Sequence, residues 1–261
     1  MDNIQNQIIE KLNHIEIEHN IKIPIAVESG SRAWGFASPN SDYDCRFVYV
    51  HPQEFYLSVF EQKDTIEYIP DTIFDLSGWD LRKFITHLVK SNVVMLEWLK
   101  SNIIYCKEDE IYNMLWELGG DFFNPISASW QYLSTAKNKL EELDRNGPNK
   151  IKKYFYILRP LACVRFIREQ GSIPFMEYEK NVKVIDTPKE VRDEIANLIA
   201  IKKEANEGDF LQLHKMMFDY FDEEVTLAEK WLVDAKYNKE KNYTKVDQYF
   251  RKIIEEANKG G

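Results

Sequence analysis

Residues 28–50 read ESGSRAWGFASPNSDYDCRFVYV. This run links two strand-like segments, KIPIAVE (22–28) and YDCRFVYV (43–50), the second rich in aromatic and β-branched residues. The polar stretch SGSRAWGF and the turn ASPNSD join them. Asp42 and Asp44 stand two apart at the start of the second strand, so alternation points both carboxylates to one face. Two adjacent carboxylates repel and call for a cation. Hard divalent ions take oxygen ligands, and Mg²⁺ typically uses one or two carboxylates together with substrate phosphates. Gly30-Ser31 follows the first strand and is expected to open a short helix whose N–H groups face an anion. Glycine lets the backbone approach closely, and the serine hydroxyl adds a donor. An Asp-x-Asp after a turn is commonly only a solvated turn, and a lone Gly-Ser says less still. Both together, between two strands, are far more specific. A phosphate cradle beside a metal pair is what nucleotidyl or phosphoryl transfer requires.

Outward from this run, residues 3–18 carry Ile4, Ile8, Ile9, Leu12 and Ile15 at helical spacing. A short helix is expected at 53–60 and strands at 64–69 and 72–77, around Pro70-Asp71. Helices are expected at 78–91 and 93–100, and a short strand at 102–106. Beyond residue 108 nothing reads as a strand. Helical patterns occupy 108–118, 127–145, 150–170, 187–206, 209–235 and 243–258. The expected fold class is α+β: a small mixed sheet with flanking helices over residues 1–119, then an all-helical domain over 120–261.

The formal net charge of the 261 residues is −9. It is unevenly placed: −10 over residues 1–136, +6 over 137–168 and −5 over 169–261. An acidic chain speaks against passive coating of nucleic acid, which needs a basic footprint. It does not exclude a local phosphate site. The basic island holds Lys152, Lys153, Arg159 and Arg165. Lys152 and Arg159 lie two helical turns apart on one face, with Tyr156 nearby. A solvated helix face is an equal reading of these residues. The three cysteines are far apart, which fits a reducing cytoplasm and no disulfide framework. No apolar run reaches the ~20 residues of a membrane span, and the first residues do not read as a secretory signal. The five histidines show no zinc-ligand spacing. There is no Gly-rich phosphate loop of the Walker type and no dinucleotide fingerprint.

Gly30-Ser31, ten residues, then Asp42-Tyr43-Asp44 resembles the signature of DNA polymerase beta-type nucleotidyltransferases. Together with segments 75–105 and 152–161, it is most similar to the RNA-repair-pathway DNA polymerase beta family, the RlaP-like nucleotidyltransferases. The resemblance implies that Asp42 and Asp44 hold two Mg²⁺ ions, with Mn²⁺ as the alternative, and that Gly30 and Ser31 bind the triphosphate of an NTP. It also implies a third carboxylate on a later strand. Glu67, Asp71, Asp75 and Asp80 compete for that place. Asp71 reads as a turn residue, Asp80 as first-turn helix, and Glu67 as outward-facing. Asp75 sits in apolar IFDL, where a charge is costly unless it meets a cation, so Asp75 is chosen. A helix N-cap is its competing role. Arg32 and Arg46 are candidate phosphate contacts or partners of the acids. By the same resemblance Lys152 or Lys153 reaches the β/γ phosphates, Tyr156 stacks on the base, and Arg159 completes the basic set. The implied reaction adds an NMP to an acceptor hydroxyl, an RNA 3′ end such as that of a tRNA, with release of pyrophosphate. The alternatives are nucleotidylation of a protein or small-molecule hydroxyl, and a non-catalytic binding or antitoxin-like partner.

Overall fold

The computed structural model describes residues 2–69, 73–206 and 208–259. By its contacts the chain divides into two units, and neither is one continuous segment. The first comprises Met1–Ala33, Asp42–Phe123 and Lys239–Gly261; the second comprises Trp34–Ser41 and Asn124–Asn238. The expected boundary at 119/120 falls inside a helix, and the last helix of the chain belongs with the first unit.

The first unit opens with helix α1 (Asp2–His19) and strand β1 (Lys22–Glu28). The short α2 (Gly30–Trp34) begins at its end. Strand β2 (Tyr43–Val50), helix α3 (Gln53–Tyr56), strands β3 (Thr65–Tyr68) and β4 (Phe74–Asp80), helices α4 (Leu81–Leu88) and α5 (Val93–Lys100), strand β5 (Ile104–Lys107) and helix α6 (Asp109–Phe122) follow. The five strands form one mixed sheet in the order β3-β4-β2-β1-β5. Only β2 and β4 run parallel; the other pairs are antiparallel. β2 is therefore the central strand. Its alternation divides it cleanly. Cys45, Phe47 and Tyr49 are buried in a core with Ile8, Leu12 and Ile15 of α1 and Leu76 of β4. Asp44 and Arg46 alternate to the opposite face.

β4 runs further than the sequence suggests. The expected helix from Gly78 begins only at Leu81, because Gly78 and Trp79 pair with Phe47 and Val48 of β2. A Cβ on Gly78 would lie 2.0 Å from the Phe47 ring, so glycine is needed for the two strands to approach. Asp80 then caps α4 by accepting from the Arg82 N–H at 2.8 Å. It also accepts from the Tyr56 hydroxyl at 2.8 Å.

The second unit is built of α7 (Pro125–Glu141), α8 (Ile151–Gln170), α9 (Tyr178–Val182), α10 (Lys189–Glu204) and α11 (Lys215–Asp234). α8 is buried over most of its circumference, as the central helix of a bundle must be. The expectation of no strands in this half is overturned by a two-residue ladder, β6 (Asn149–Lys150) with β7 (Phe210–Leu211). Two residues show no periodicity, so such a pair leaves no pattern to read. The segment 34–41 packs here: Phe36 lies 4.3 Å from Phe155 between ring centres, and Lys202 Nζ reaches Ser38 Oγ at 3.2 Å.

The last helix, α12 (Tyr243–Ala257), belongs to the first unit. Its buried residues are Ile253, Ile254 and Ala257, and Phe250 meets Tyr56 edge-on at 5.3 Å. Lys245 bridges Glu117 and Asp121 of α6 at 2.5 and 2.6 Å. Among the described residues no helix is long and apolar enough to cross a membrane. Among the described residues Cys45, Cys106 and Cys163 form no disulfide.

Candidate active site

The parallel pairing of β2 with β4 positions the acids. Asp44 and Asp75 are direct register partners on these neighbouring strands, so their side chains leave the sheet side by side. Asp42 stands two residues before Asp44 and is exposed. The competing N-cap role falls to Asp80, and Glu67 is exposed on β3. Asp71 lies outside the described residues.

Arg46 lies between two of the acids. Its Nη2 donates to Asp75 Oδ2 at 2.8 Å and to Asp44 Oδ1 at 3.1 Å. Its Nη1 donates to the Asp75 backbone carbonyl at 2.9 Å. Burial raises the Asp44 carboxyl above its ordinary range, Arg46 pulls it down, and the charges of Asp75 and Asp42 push it up again. These are the electrostatics of a carboxylate group that seeks positive charge.

Gly30 closes the other side. Its φ is +60°, a region glycine adopts readily, and an added Cβ would fall 2.0 Å from Asp44 Oδ2. The start of α2 is thus pressed against the Asp44 carboxylate, with half-buried Ser31 next in line. Arg32 Nε donates to the Asp42 carbonyl at 3.0 Å, and its guanidinium stacks 3.7 Å from the Tyr43 ring centre. Gly30, Ser31, Arg32, Asp42, Asp44, Arg46 and Asp75 therefore come together in one unit.

Glu28 was not among the sequence candidates. It is fully buried at the end of β1. Its Oε1 accepts from the Asp44 backbone N–H at 3.0 Å, and its Oε2 accepts from the Tyr105 hydroxyl. Burial pushes its carboxyl up to about 7. The signal was present: a glutamate closing the apolar strand IPIAV poses the same cost as Asp75 within IFDL.

Lys152, Lys153, Tyr156 and Arg159 lie on α8, in the second unit. Lys152 and Lys153 are half-buried, and Lys153 Nζ lies 3.5 Å from the Glu142 carbonyl. Tyr156 is 42 % exposed and meets Trp34 edge-on at 5.6 Å. Arg159 is only 5 % exposed, with its guanidinium 4.6 Å from the Trp34 ring centre and Nη2 3.6 Å from Met176 Sδ. Arg159 thus takes part in packing within the helical unit.

The amino-acid sequence matches the family described as RlaP, RNA repair pathway DNA polymerase beta family, over residues 4–252. The chain belongs to that family. It is accordingly a polymerase beta-type nucleotidyltransferase, and its α+β fold with a five-stranded mixed sheet agrees. It is 33 % identical over 258 residues, 99 % of each chain, to the uncharacterized protein YcgL of Bacillus subtilis (strain 168). A solved structure, a nucleotidyltransferase-like protein from Exiguobacterium sibiricum 255-15, aligns at a TM-score of 0.33 and 14 % identity, over 97 % of this chain and 81 % of that one.

Divalent ions suit this RlaP-family site by donor chemistry. Carboxylate oxygens are the ligands Mg²⁺ prefers, and the Asp44–Asp75 pair already holds one cation, the Arg46 guanidinium. Among the described residues no three Asp, Glu, His or Cys side chains are already drawn into a metal-holding cluster. Arg46 takes up the position between two of the candidates.

Proposed function

We propose that the protein transfers a nucleoside monophosphate from an NTP to the 3′ hydroxyl of an RNA, with Asp42, Asp44 and Asp75 as the ligands of two Mg²⁺ ions. The observation that carries this reading is the register of Asp44 against Asp75 on parallel strands, with Gly30 pressed on the Asp44 carboxylate. The acceptor oxygen bonds to the α-phosphorus, the bond from that phosphorus to the β-phosphate bridging oxygen breaks, and pyrophosphate leaves. Mg²⁺, when bound, supplies charge neutralisation for the phosphates. The remaining work is positioning. The Gly30 backbone and Ser31 hydroxyl hold the leaving phosphates, and the Asp75 carboxylate receives the proton of the attacking hydroxyl. Arg32, held by Tyr43 and the Asp42 carbonyl, keeps a positive charge beside the first acid. The phosphate contacts assigned to Lys152 and Lys153 rest on the family resemblance alone.

The test is incubation with α-³²P-labelled NTPs and Mg²⁺, offering either RNA with a free 3′ hydroxyl or total protein. Label is expected in the RNA, absent after periodate oxidation of its 3′ end and absent with Asp42→Asn plus Asp44→Asn. Label in protein instead would move the acceptor to a protein hydroxyl. Undiminished labelling by the double variant would remove the metal assignment, and no label in any acceptor would sink the reading.

A further inference from the structure

The helical unit contains a pocket of about 450 Å³ between α9 and α10, a volume within the range of small-molecule sites. Its apolar wall is Val182 of α9 with Ile195, Ala196, Ile199 and Ala200 of α10. Ala196 and Ala200 are exposed. An exposed helix face is ordinarily polar, so an Ala-Ile-Ala stripe there is unusual.

Three cations stand around this apolar wall: Lys183, Arg192 and Lys203. Among the described residues Glu179 is the sole acid lining the pocket. Among the described residues none of the three cationic side chains makes an ion pair, a hydrogen bond or a ring contact. Other cations of the same unit are paired: Arg145 with Asp222, Lys137 with Glu229 and Lys215 with Asp219. Arg192 and Lys203 are eleven residues apart on α10, about 16 Å at the helical rise, so positive charge flanks the apolar stripe at both ends.

We propose that this pocket binds a small amphipathic anion, an apolar body carrying one carboxylate or phosphate. The apolar body would cover the alanine–isoleucine stripe, and the head would meet a cation whose side chain makes no ion pair among the described residues. A charge-assisted contact of that kind is stronger than a neutral hydrogen bond. The lining does not suit a nucleotide. Base recognition relies on exposed aromatic faces and hydrogen bonds to base edges. The one aromatic here, Tyr178, is 2 % exposed. A nucleic-acid backbone is likewise a poor occupant, since an apolar wall offers its phosphates nothing. The inference is independent of the nucleotidyl-transfer reading, because it uses none of those residues.

Isothermal titration of the full chain with octanoate, octyl phosphate and octanol tests it. At least one of the two anions is expected to bind saturably at one per chain and at least tenfold tighter than octanol. The tighter anion identifies the head group. Arg192→Glu with Lys203→Glu is expected to weaken that anion about tenfold or more, and Ala196→Trp to abolish binding by filling the pocket. Circular dichroism and melting temperature check that each variant is folded. Should Ala196→Trp misfold, the charge-reversed protein carries the test. No saturable binding of either anion, equal binding of octanol, or unchanged affinity after charge reversal would each overturn the proposal.

Discussion

Arg46 is the residue on which the site turns. One guanidinium holds both Asp44 and Asp75, and it also holds the Asp75 backbone. Bringing two carboxylates together on neighbouring strands is unfavourable without positive charge between them. A divalent ion ligated by the same oxygens must displace that guanidinium or share them with it. Each charge-assisted hydrogen bond is worth about 1.5–3 kcal/mol, so competition of this kind weakens metal binding by roughly tenfold or more. Arg46→Gln removes the competing charge while keeping polar contact. Mn²⁺, followed by the electron-spin-resonance signal of the free ion without nucleotide, is expected to bind the variant about tenfold tighter, a gain of about 1.4 kcal/mol. The rise in melting temperature on adding Mn²⁺ should be larger for the variant too, because stabilisation by a ligand grows with the logarithm of its affinity for the folded state. A variant that binds Mn²⁺ no tighter than the parent would show that Arg46 does not compete for these oxygens.

The β2–β4 pair is the element that aligns the acids, and Gly78 sets how closely the two strands lie. Phe47 fills the space where a Gly78 Cβ would be, and Phe47 is fully buried beneath α1. Gly78→Ala therefore overpacks a rigid aromatic and is expected to cost about 1–3 kcal/mol. The urea midpoint should fall accordingly. Because Asp44 and Asp75 each lie three residues before this contact, labelling activity should fall as well. An unchanged midpoint would mean that the ladder relaxes around the methyl group. The same element shows where sequence reading succeeds. Strands 22–28 and 43–50 and helix 93–100 were legible to the residue, each with an apolar pattern or bounding residues that mark its ends. The end of β4 was not, because a glycine reads as a break until its partner ring is known. The cost of a charge in an apolar strand singles out Asp75 as a candidate, and Glu28 obeys the same argument. The five-residue α9 and the β6–β7 ladder are too short to carry a period.

At the scale of the whole chain, periodicity identifies a helix but not the core it joins. The 243–258 pattern reads as part of a helical domain, yet α12 returns to the sheet-bearing unit. Its charges fit that place. Lys245 answers Glu117 and Asp121, and Lys252 answers Glu110, three charges of a face on α6 and two on α12 that one-dimensional counting scatters over distant segments. Exposed pairs like these contribute little each. The apolar contacts contribute more: burial of Ile253 and Ile254 is worth about 1.5–3 kcal/mol apiece. Against a total stability of about 5–15 kcal/mol, that is a large share. A chain ending at Asn238 is therefore expected to melt at least 10 °C lower than the full chain, or to aggregate, as Tyr56 and the α6 face lose their cover. The more local variant Ile253→Ala should cost about 2–5 kcal/mol by leaving a cavity beside the same face. Thermal melts of both, with the Mn²⁺-dependent rise in melting temperature as a second readout, separate two architectures. If α12 closes the sheet-bearing unit, both variants weaken the unit that holds the carboxylates. If the shortened chain melted like the parent and kept its response to Mn²⁺, α12 would be an appendage, and the sheet-bearing unit would end with α6.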